Sequence, residues 1–176
     1  MAQSLVELVL PTRCAGCGRP GEAWCSRCAA TVPPPPTLPG VPGCDVVIVG
    51  GAYEAHLRRA VLALKREHRS AAAAVANALW RDALGPVEVD CVTWVPAGSG
   101  RRSRGFDQGR TLALVAARTI DRPVLALLRR AGGGQRGLQA ADRRANARVA
   151  ITTRGDAIPG CVLVVDDVLT TGASLE

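Results

Sequence analysis

Residues 162–174 read VLVVDDVLTTGAS and combine an apolar strand with an acidic, hydroxyl-rich turn. The apolar run Val162–Val165 is typical of a strand that is buried on both faces in a parallel sheet. Asp166 and Asp167 follow at once, and the next residues include two threonines, a glycine and a serine. Such a turn presents backbone N–H groups and hydroxyl donors, so it favours an anion-binding nest at the start of a helix.

The two carboxylates beside this nest suit a sugar phosphate. Asp166 and Asp167 can accept hydrogen bonds from neighbouring ribose hydroxyls while a phosphate lies in the nest, and they can help to hold Mg²⁺ directly or through water. Two other phosphate-binding patterns are absent, because the chain has neither GxxxxGK[ST] nor GxGxxG after its first predicted strand. Taken alone, the aspartate pair has a second interpretation, a turn that caps a helix.

Strands alternate with helices along the residues that precede this stretch, which predicts an α/β fold with a mostly parallel sheet flanked by helices. The 123–130 segment fits either a strand or a helix, and a glycine-rich loop opens the 131–147 segment. A doubly wound domain continues with a helix after the DDVLTTGAS turn, so we expect the domain to be cut short at its C-terminus. The predicted strands cover 45–53, 89–96, 147–153 and 161–168. The predicted helices cover 1–10, 54–68, 70–85 and 105–119.

Four of the seven cysteines lie within 15 residues, in two CxxC pairs separated by seven residues. Two such pairs offer four thiolates in tetrahedral geometry, which indicates a structural zinc site with no open position for catalysis. Free thiols or a redox pair are the alternative interpretation. The predicted zinc ligands are Cys14, Cys17, Cys25 and Cys28. The isolated residues Cys44, Cys91 and Cys161 lie in or beside apolar strands and are predicted to be buried.

The cysteine and proline patterns predict three parts in the chain. Residues 1–32 are expected to form a short helix and a zinc-binding knuckle, 33–43 a proline-rich linker, and 44–176 the α/β domain. No apolar run reaches the roughly 18 residues that a transmembrane helix needs, and the N-terminus lacks the features of a signal peptide. We therefore predict a cytoplasmic protein. His56 and His68 are predicted to be surface residues remote from these motifs.

The positive charge is concentrated in one segment. The whole chain carries a net charge of +7, but residues 96–154 contain 13 arginines and only three aspartates, so the remainder is net negative. A concentrated basic segment favours a phosphate-rich partner. A solvated arginine surface is the alternative interpretation.

Several of these segments together resemble a known protein family. VVDDVLTTGAS resembles the phosphoribosyl pyrophosphate (PRPP) motif of type I phosphoribosyltransferases. Together with the four-cysteine knuckle, VPAGSGRRSRGFDQGRTLA (95–113) and RRAGGGQRGLQAADRRAN (129–146) are similar to the ComF family. That family comprises competence-associated, phosphoribosyltransferase-like proteins linked to DNA uptake. Tyr53 and Lys65 also match its pattern, whereas Asp107 stands where the pattern has asparagine.

The resemblance implies a type I phosphoribosyltransferase-like fold that binds PRPP with Mg²⁺ and acts as a pentosyl-transferring glycosyltransferase. It implies that the catalytic pair, Asp166 and Asp167, meets the ribose hydroxyls. The implied 5′-phosphate contacts are Thr170, Thr171, Gly172, Ala173 and Ser174. The implied pyrophosphate loop contains Pro96, Ala97 and Gly98, and the nearby arginines are Arg101, Arg102 and Arg104. The implied mobile-loop residues are Arg143, Arg144 and Asn146.

Two other functions remain open. The first is a non-catalytic module that binds single-stranded nucleic acid through the arginine-rich segment. The chain has only five aromatic side chains, which disfavours base stacking, although Trp94 and Phe106 lie near the predicted site. The second is a module in which the knuckle and the linker bind other DNA-uptake proteins. A homodimer also remains open, since folds of this type often pair.

Overall fold

The protein combines helices with short strands, including a small parallel sheet, in the part of the chain described by this computed structural model. The helices are α1 (Ser26–Ala30), α2 (Ala55–Leu64), α3 (Arg69–Ala83) and α4 (Gln108–Ile120). The strands are β1 (Cys91–Trp94), β2 (Leu128–Arg130), β3 (Val149–Ile151) and β4 (Val162–Val165). The described residues are 11–38, 40–41, 43–64, 69–97, 107–130, 149–151 and 160–169.

The parallel sheet is built around β1. Strand β4 runs parallel to β1 in a register that pairs Cys91 with Val162 and Trp94 with Val165. On the other side of β1, Val92 forms a parallel bridge with Val124. The backbone N–H of Val92 donates to the carbonyl of Pro123 at 2.9 Å. Strand β1 is therefore flanked on both sides by extended chain.

Strand β1, rather than β4, is the buried strand of the described sheet. Cys91, Val92 and Thr93 are all buried, whereas only Val165 is buried in β4 and its other residues are half-buried. The prediction of a fully buried strand at the acidic motif is therefore wrong within the described residues. The apolar residues do form a strand, as predicted. Within the described part of the chain, however, β4 has a neighbouring strand on one side only.

Helix α4 covers the sheet and joins it to α3. Its inward face is made of small and branched residues at helical spacing, which lets the helix pack closely. The core there contains Ala76, Leu84, Val92, Leu112, Ala113, Val115, Ala116, Ala117 and Val165. The indole N–H of Trp80 on α3 donates to the carbonyl of Leu112 at 3.3 Å, which links the two helices.

The structure contradicts further sequence predictions, among them the burial of Cys44, which is half-buried. Residues 45–53 form no strand, and Val46 is 75% exposed. The apolar run has high strand propensity, but no described strand lies beside it, and propensity alone does not supply a pairing partner. Cys161 is exposed rather than buried. Its N–H donates to the Asp90 carboxylate at 2.9 Å, at the solvent-facing start of β4.

The other predicted elements are present within the described residues, with bounds that differ from the predicted ones by a few residues. The ambiguous 123–130 segment is extended beside β1 and continues into β2, which pairs antiparallel with β3. This pairing places Arg130 opposite Val149. The predicted helix at 1–10 and the glycine-rich loop lie outside the described residues, and the three-part division remains a prediction. Among the described helices, none is long and apolar enough to cross a membrane.

Candidate functional site

The acidic pair leaves the sheet at the same edge as the loop that follows β1. The N–H of Val95 donates to the carbonyl of Val165 at 3.0 Å, so the parallel ladder continues one residue beyond β1. Pro96 and Ala97 therefore emerge beside Asp166 and Asp167. The register of the parallel pair therefore brings the segment after β1 and the acidic pair to the same edge of the sheet.

Asp107 fixes the start of α4 at this edge. It is the N-cap residue of the helix, and its Oδ1 accepts a hydrogen bond from the N–H of Arg110 at 3.2 Å. Its Oδ2 accepts from the indole N–H of Trp94, at the end of β1, at 3.1 Å. A carboxylate satisfies a helix N-terminus as well as an asparagine does. Asp107, which stands where the ComF pattern has asparagine, is therefore a suitable residue to cap α4.

Gln108 joins the first turn of α4 to the acidic pair. Its side-chain amide donates to Oδ2 of Asp167 at 2.8 Å, and the residue is only 6% exposed. Gln108 was not predicted to be a site residue, because a glutamine in the first turn of a helix is ordinarily exposed to solvent. Its position next to Asp107 in the RGFDQG segment was the available signal.

The two aspartates are held in different ways. The N–H of Asp167 donates to Oδ1 of Asp166 at 2.8 Å, so the first carboxylate folds back over its own backbone. The Asp167 carboxylate instead reaches across to Gln108 on α4. Both residues are half-buried. Two fixed carboxylates at a sheet edge can accept hydrogen bonds from hydroxyl groups or help to bind a cation.

Gly109 allows α4 to approach the end of β1 closely. A Cβ atom at this position would lie 2.9 Å from the carbonyl oxygen of Val95 and 3.1 Å from Cδ1 of Trp94. Both distances are shorter than ordinary van der Waals contacts, and the nearer atom belongs to the backbone. The absence of a side chain therefore lets the first turn of α4 rest against the strand end.

The structure describes four of the predicted phosphoribosyl-site residues and brings them to one edge. These are Pro96, Ala97, Asp166 and Asp167. Tyr53, which also matches the family pattern, is exposed. The others, together with Lys65 and His68, lie outside the described residues: Gly98, Arg101, Arg102, Arg104, Arg143, Arg144, Asn146, Thr170, Thr171, Gly172, Ala173 and Ser174.

The four predicted zinc ligands form a compact cluster. The Sγ atoms of Cys14, Cys17, Cys25 and Cys28 all lie within 4.8 Å of one another. The Sγ atoms of Cys17 and Cys25 are 3.8 Å apart. A tetrahedral zinc with Zn–S bonds of about 2.3 Å places its sulfur atoms roughly 3.8 Å apart. The donor set and its spacing therefore fit zinc, and the cluster can hold such a metal.

Short backbone hydrogen bonds shape the chain around the cluster. The N–H of Gly18 donates to the carbonyl of Cys14 at 2.8 Å, and the N–H of Cys14 donates to the carbonyl of Arg19 at 2.9 Å. Gly18 has a φ of 76°, a left-handed conformation that glycine adopts without strain. Helix α1 begins after Cys25 and turns Cys28 inward.

The thiols of the cluster differ in acidity. Burial raises the pKa of Cys14, but backbone N–H donors from Cys25, Cys17 and Gly16 outweigh it and lower the pKa to about 6. Burial raises the pKa of Cys28 well above its ordinary value, and the neighbouring thiols raise it further. One thiolate therefore forms readily, while another is strongly resisted. A bound dication would offset that resistance, because metal coordination deprotonates thiols.

The cluster packs against the helices that follow it in sequence. Trp24 and Cys28 share a buried cluster with Leu57 and Val61 of α2 and Val75 of α3. The indole N–H of Trp24 is buried and has no hydrogen-bond partner among the described residues.

His56 lies beside the cysteine cluster, although it was predicted to be a remote surface residue. Its Nδ1 is within hydrogen-bond distance, 3.3 Å, of the carbonyl oxygen of Gly16, and the residue is half-buried. A Cβ atom at Gly16 would lie 3.2 Å from Cβ of His56. The prediction is therefore wrong for His56. The first turn of α2 contacts the cysteine loop, and two segments so far apart in sequence give no sign of that contact.

Comparison of the chain with models of known protein families, with curated proteins and with solved structures finds no match. The geometry of the two sites therefore carries the functional argument, together with the resemblance in sequence motifs. The cysteine cluster has a complete set of metal donors. The acidic edge has two carboxylates fixed between two strand ends and a helix N-terminus.

Proposed function

We propose that the chain is a phosphoribosyltransferase-like protein of the ComF type that binds PRPP with Mg²⁺ at the edge formed by the ends of β1 and β4. The observation that carries this proposal is the position of Asp166 and Asp167. They leave a parallel strand beside the end of its neighbour, and Gln108 holds the second carboxylate at 2.8 Å. Ligands of α/β sheets bind at the carboxyl ends of parallel strands.

The chemistry of PRPP matches this edge in charge and in hydrogen bonding. The two ribose hydroxyls of PRPP can donate hydrogen bonds to the carboxylates of Asp166 and Asp167. The TTGAS residues that follow supply N–H and hydroxyl donors for the 5′-phosphate in the interpretation based on resemblance. Bound Mg²⁺ would offset the charge of the pyrophosphate. We propose a type I phosphoribosyltransferase fold for the domain on the same grounds.

The proposed reaction is displacement at C1 of PRPP by a nitrogen of an acceptor base. The nitrogen forms a bond to C1 while the bond from C1 to the pyrophosphate oxygen breaks. That oxygen keeps the bonding electron pair, and the nitrogen afterwards loses a proton to solvent or to a carboxylate. The protein contributes by orienting the ribose through the aspartate pair and by placing charged groups near the leaving pyrophosphate.

We further propose that the cysteine cluster binds zinc for a structural purpose. All four donors come from the protein, so no coordination position is left for a substrate or a reacting water molecule. Helix α1 has only five residues, and turns and an isolated bridge hold the chain around it, so metal is expected to contribute much of the stability of this region. The cluster thus has a role distinct from that of the acidic edge.

A non-catalytic nucleic-acid-binding module is the second candidate. Exposed arginines in the described part of the basic segment favour it, namely Arg110, Arg118 and Arg129. Contacts of this kind to phosphates release counterions, so binding weakens steeply as salt rises. The partners would be single-stranded DNA or other components of a DNA-uptake system.

Calorimetric titration of PRPP with Mg²⁺ tests the first proposal. The wild type should bind, and the double variant Asp166→Asn/Asp167→Asn should lose binding. The matched control is Asp45→Asn/Asp82→Asn, which removes the same charge at exposed positions outside the site and should bind as the wild type does. Equal binding by both double variants contradicts a site at the aspartate pair.

A parallel titration with single-stranded DNA tests the second candidate. If DNA binds to the wild type, falls steeply with salt and is lost in Arg101→Ala/Arg102→Ala/Arg104→Ala, the nucleic-acid function gains support. If PRPP binding is also absent from the wild type, that function replaces the first proposal. DNA binding that is equal in the wild type and the arginine variant counts against a specific role for these arginines.

A further inference from the structure

The cysteine cluster and the acidic edge meet through one group of buried side chains. The group, here called the knuckle–helix cluster, contains residues of the cysteine loop, of α2 and of α3. Its buried members are Cys14, Trp24, Cys28, Leu57, Ala60, Val61 and Val75. Two of the seven are zinc-ligand candidates, and Trp24 is the largest side chain in the group. The packing of this cluster therefore depends on how the cysteine loop is folded.

Val168 packs against the same cluster. It is the residue that directly follows Asp167, so the backbone that carries the second carboxylate is anchored on the knuckle–helix cluster. Val168 is half-buried. The acidic turn is thus in contact with a group of side chains that begins about 150 residues earlier in the chain.

The acidic turn depends on supports outside its own strand. Three of the four residues of β4 are only half-buried, so the strand itself provides limited burial. Gln108 holds the Asp167 side chain from one direction. Val168 anchors the following backbone from another. Loss of either support would leave the carboxylate with more freedom, and a ligand would then have to restrict that freedom on binding.

Metal binding is expected to control the second support. Cys28 has no exposed surface, and the four Sγ atoms lie within 4.8 Å of one another, so the metal-free cluster holds its thiols at close quarters. Folding of small metal-binding loops is generally coupled to occupancy by metal. When the cysteine loop loosens, Cys14, Trp24 and Cys28 leave gaps in the cluster on which Val168 rests.

We propose that zinc at the cysteine cluster positions the acidic pair through the knuckle–helix cluster and Val168, so that the two sites are thermodynamically coupled. Val168 is then a positioning residue, since it acts through the backbone of Asp167 rather than by touching a ligand. Coupling of this kind is reciprocal: if zinc favours the ordered acidic turn, the ordered turn favours zinc, so a change at Val168 that loosens the turn should weaken zinc binding.

Hydrogen exchange of the full chain, with zinc bound and after removal by a chelator under reducing conditions, tests the coupling directly. Removal should speed exchange of the amides at 166–169 by about five-fold or more, while the interior of α4 at 112–117 changes much less. Faster exchange in the cysteine loop alone overturns the proposal. An equal rise in α4 also overturns it, because that result indicates general unfolding rather than a specific connection.

Two matched variants test the reciprocal effect with zinc as the only ligand. Val168→Ala should weaken zinc affinity by about five-fold, measured by competition with a chromophoric chelator. Val164→Ala is the control, because it is also half-buried and lies on β4 but does not belong to the knuckle–helix cluster. Its zinc affinity should stay near that of the wild type. Equal zinc affinities for the two variants contradict the proposal.

The consequence for PRPP rests on the proposed function, whereas the coupling does not. If the wild type binds PRPP with Mg²⁺, Val168→Ala should weaken that binding more than Val164→Ala does. If the wild type binds no PRPP, the proposed function fails, and the exchange and zinc measurements still decide the coupling. If PRPP binds but the exchange rates of the amides at 166–169 do not change when zinc is removed, the coupling fails and the proposed function stands.

Discussion

The cysteine cluster and the acidic edge are both polar sites, but they are assembled over very different lengths of chain. All four cysteine ligands come from 15 consecutive residues, and short backbone hydrogen bonds set their spacing. The acidic edge draws Trp94 from β1, Asp107 and Gln108 from the start of α4, and Asp167 from the end of β4. A local site is encoded in spacing, whereas a distributed site exists only after a sheet and a helix have packed.

The largest test of this contrast removes one metal ligand. Cys28→Ser should abolish stoichiometric zinc binding and lower the free energy of unfolding by at least about 3 kcal/mol, because a buried ligand and the packing around it are both lost. Zinc content by elemental analysis and thermal denaturation measure the two effects. Cys161→Ser is the control, since Cys161 is exposed and outside the cluster. Similar losses in both variants would mean that the cysteine cluster has no special role.

A second test adds one methyl group at the acidic edge. Gly109→Ala places a Cβ against the Val95 carbonyl and should reduce stability by about 1–3 kcal/mol, because the start of α4 must move away from β1. Urea denaturation measures the change. Gly85→Ala is the control, because its added Cβ meets nothing within 4 Å. An unchanged midpoint for Gly109→Ala would show that the close approach of α4 is not required.

A third test concerns the hydrogen bond from Gln108 on α4 to Asp167. Gln108→Ala should lower the free energy of unfolding by about 1 kcal/mol, since it removes a buried hydrogen bond to a carboxylate. A double-mutant cycle with Asp167→Ala, which removes the acceptor, isolates the interaction energy of the pair. An interaction energy of zero from this cycle would mean that the two side chains are not in contact in solution. The same variant should also weaken PRPP binding if the edge is the ligand site.

The smallest effect is a difference in thiol reactivity between Cys91, in β1, and Cys161, which directly precedes β4. At pH 8 a thiol reagent should modify Cys161 quickly and Cys91 very slowly in the zinc-loaded protein. Burial raises the pKa of Cys91, so little of its reactive thiolate exists below that raised value, and access is blocked as well. Peptide mapping by mass spectrometry identifies the modified residue. Equal rates at the two residues would contradict the burial of β1.

Sequence patterns predicted the local features well. The CxxC spacing identified the four cysteines, and the residue pattern at 105–119 located a helix that begins immediately after Asp107. Both features depend on residues that are close in sequence. The apolar run before Asp166 likewise predicted a strand in the correct place.

Contacts between distant segments could not be predicted in this way. Nothing in the residue pattern pairs Gln108 with Asp167, His56 with Gly16 or Val168 with the knuckle–helix cluster, because each contact depends on how helices dock. The 45–53 segment was wrongly predicted for a related reason. Its composition favours a strand, but the described sheets supply no neighbouring strand with which it could pair. Similarly, the exposure of Cys161 follows from its place at the start of β4 rather than from its apolar neighbours.

The hydrogen bond between Trp94 and Asp107 also gives the acidic edge an optical reporter. The chain has three tryptophans: Trp24 lies in the knuckle–helix cluster, Trp80 on α3 and Trp94 at the end of β1. Indole fluorescence depends on the polarity and hydrogen bonding around the ring. Variants that keep one tryptophan each therefore make the metal region, the helix interface and the acidic edge separately visible in emission spectra, without an attached dye.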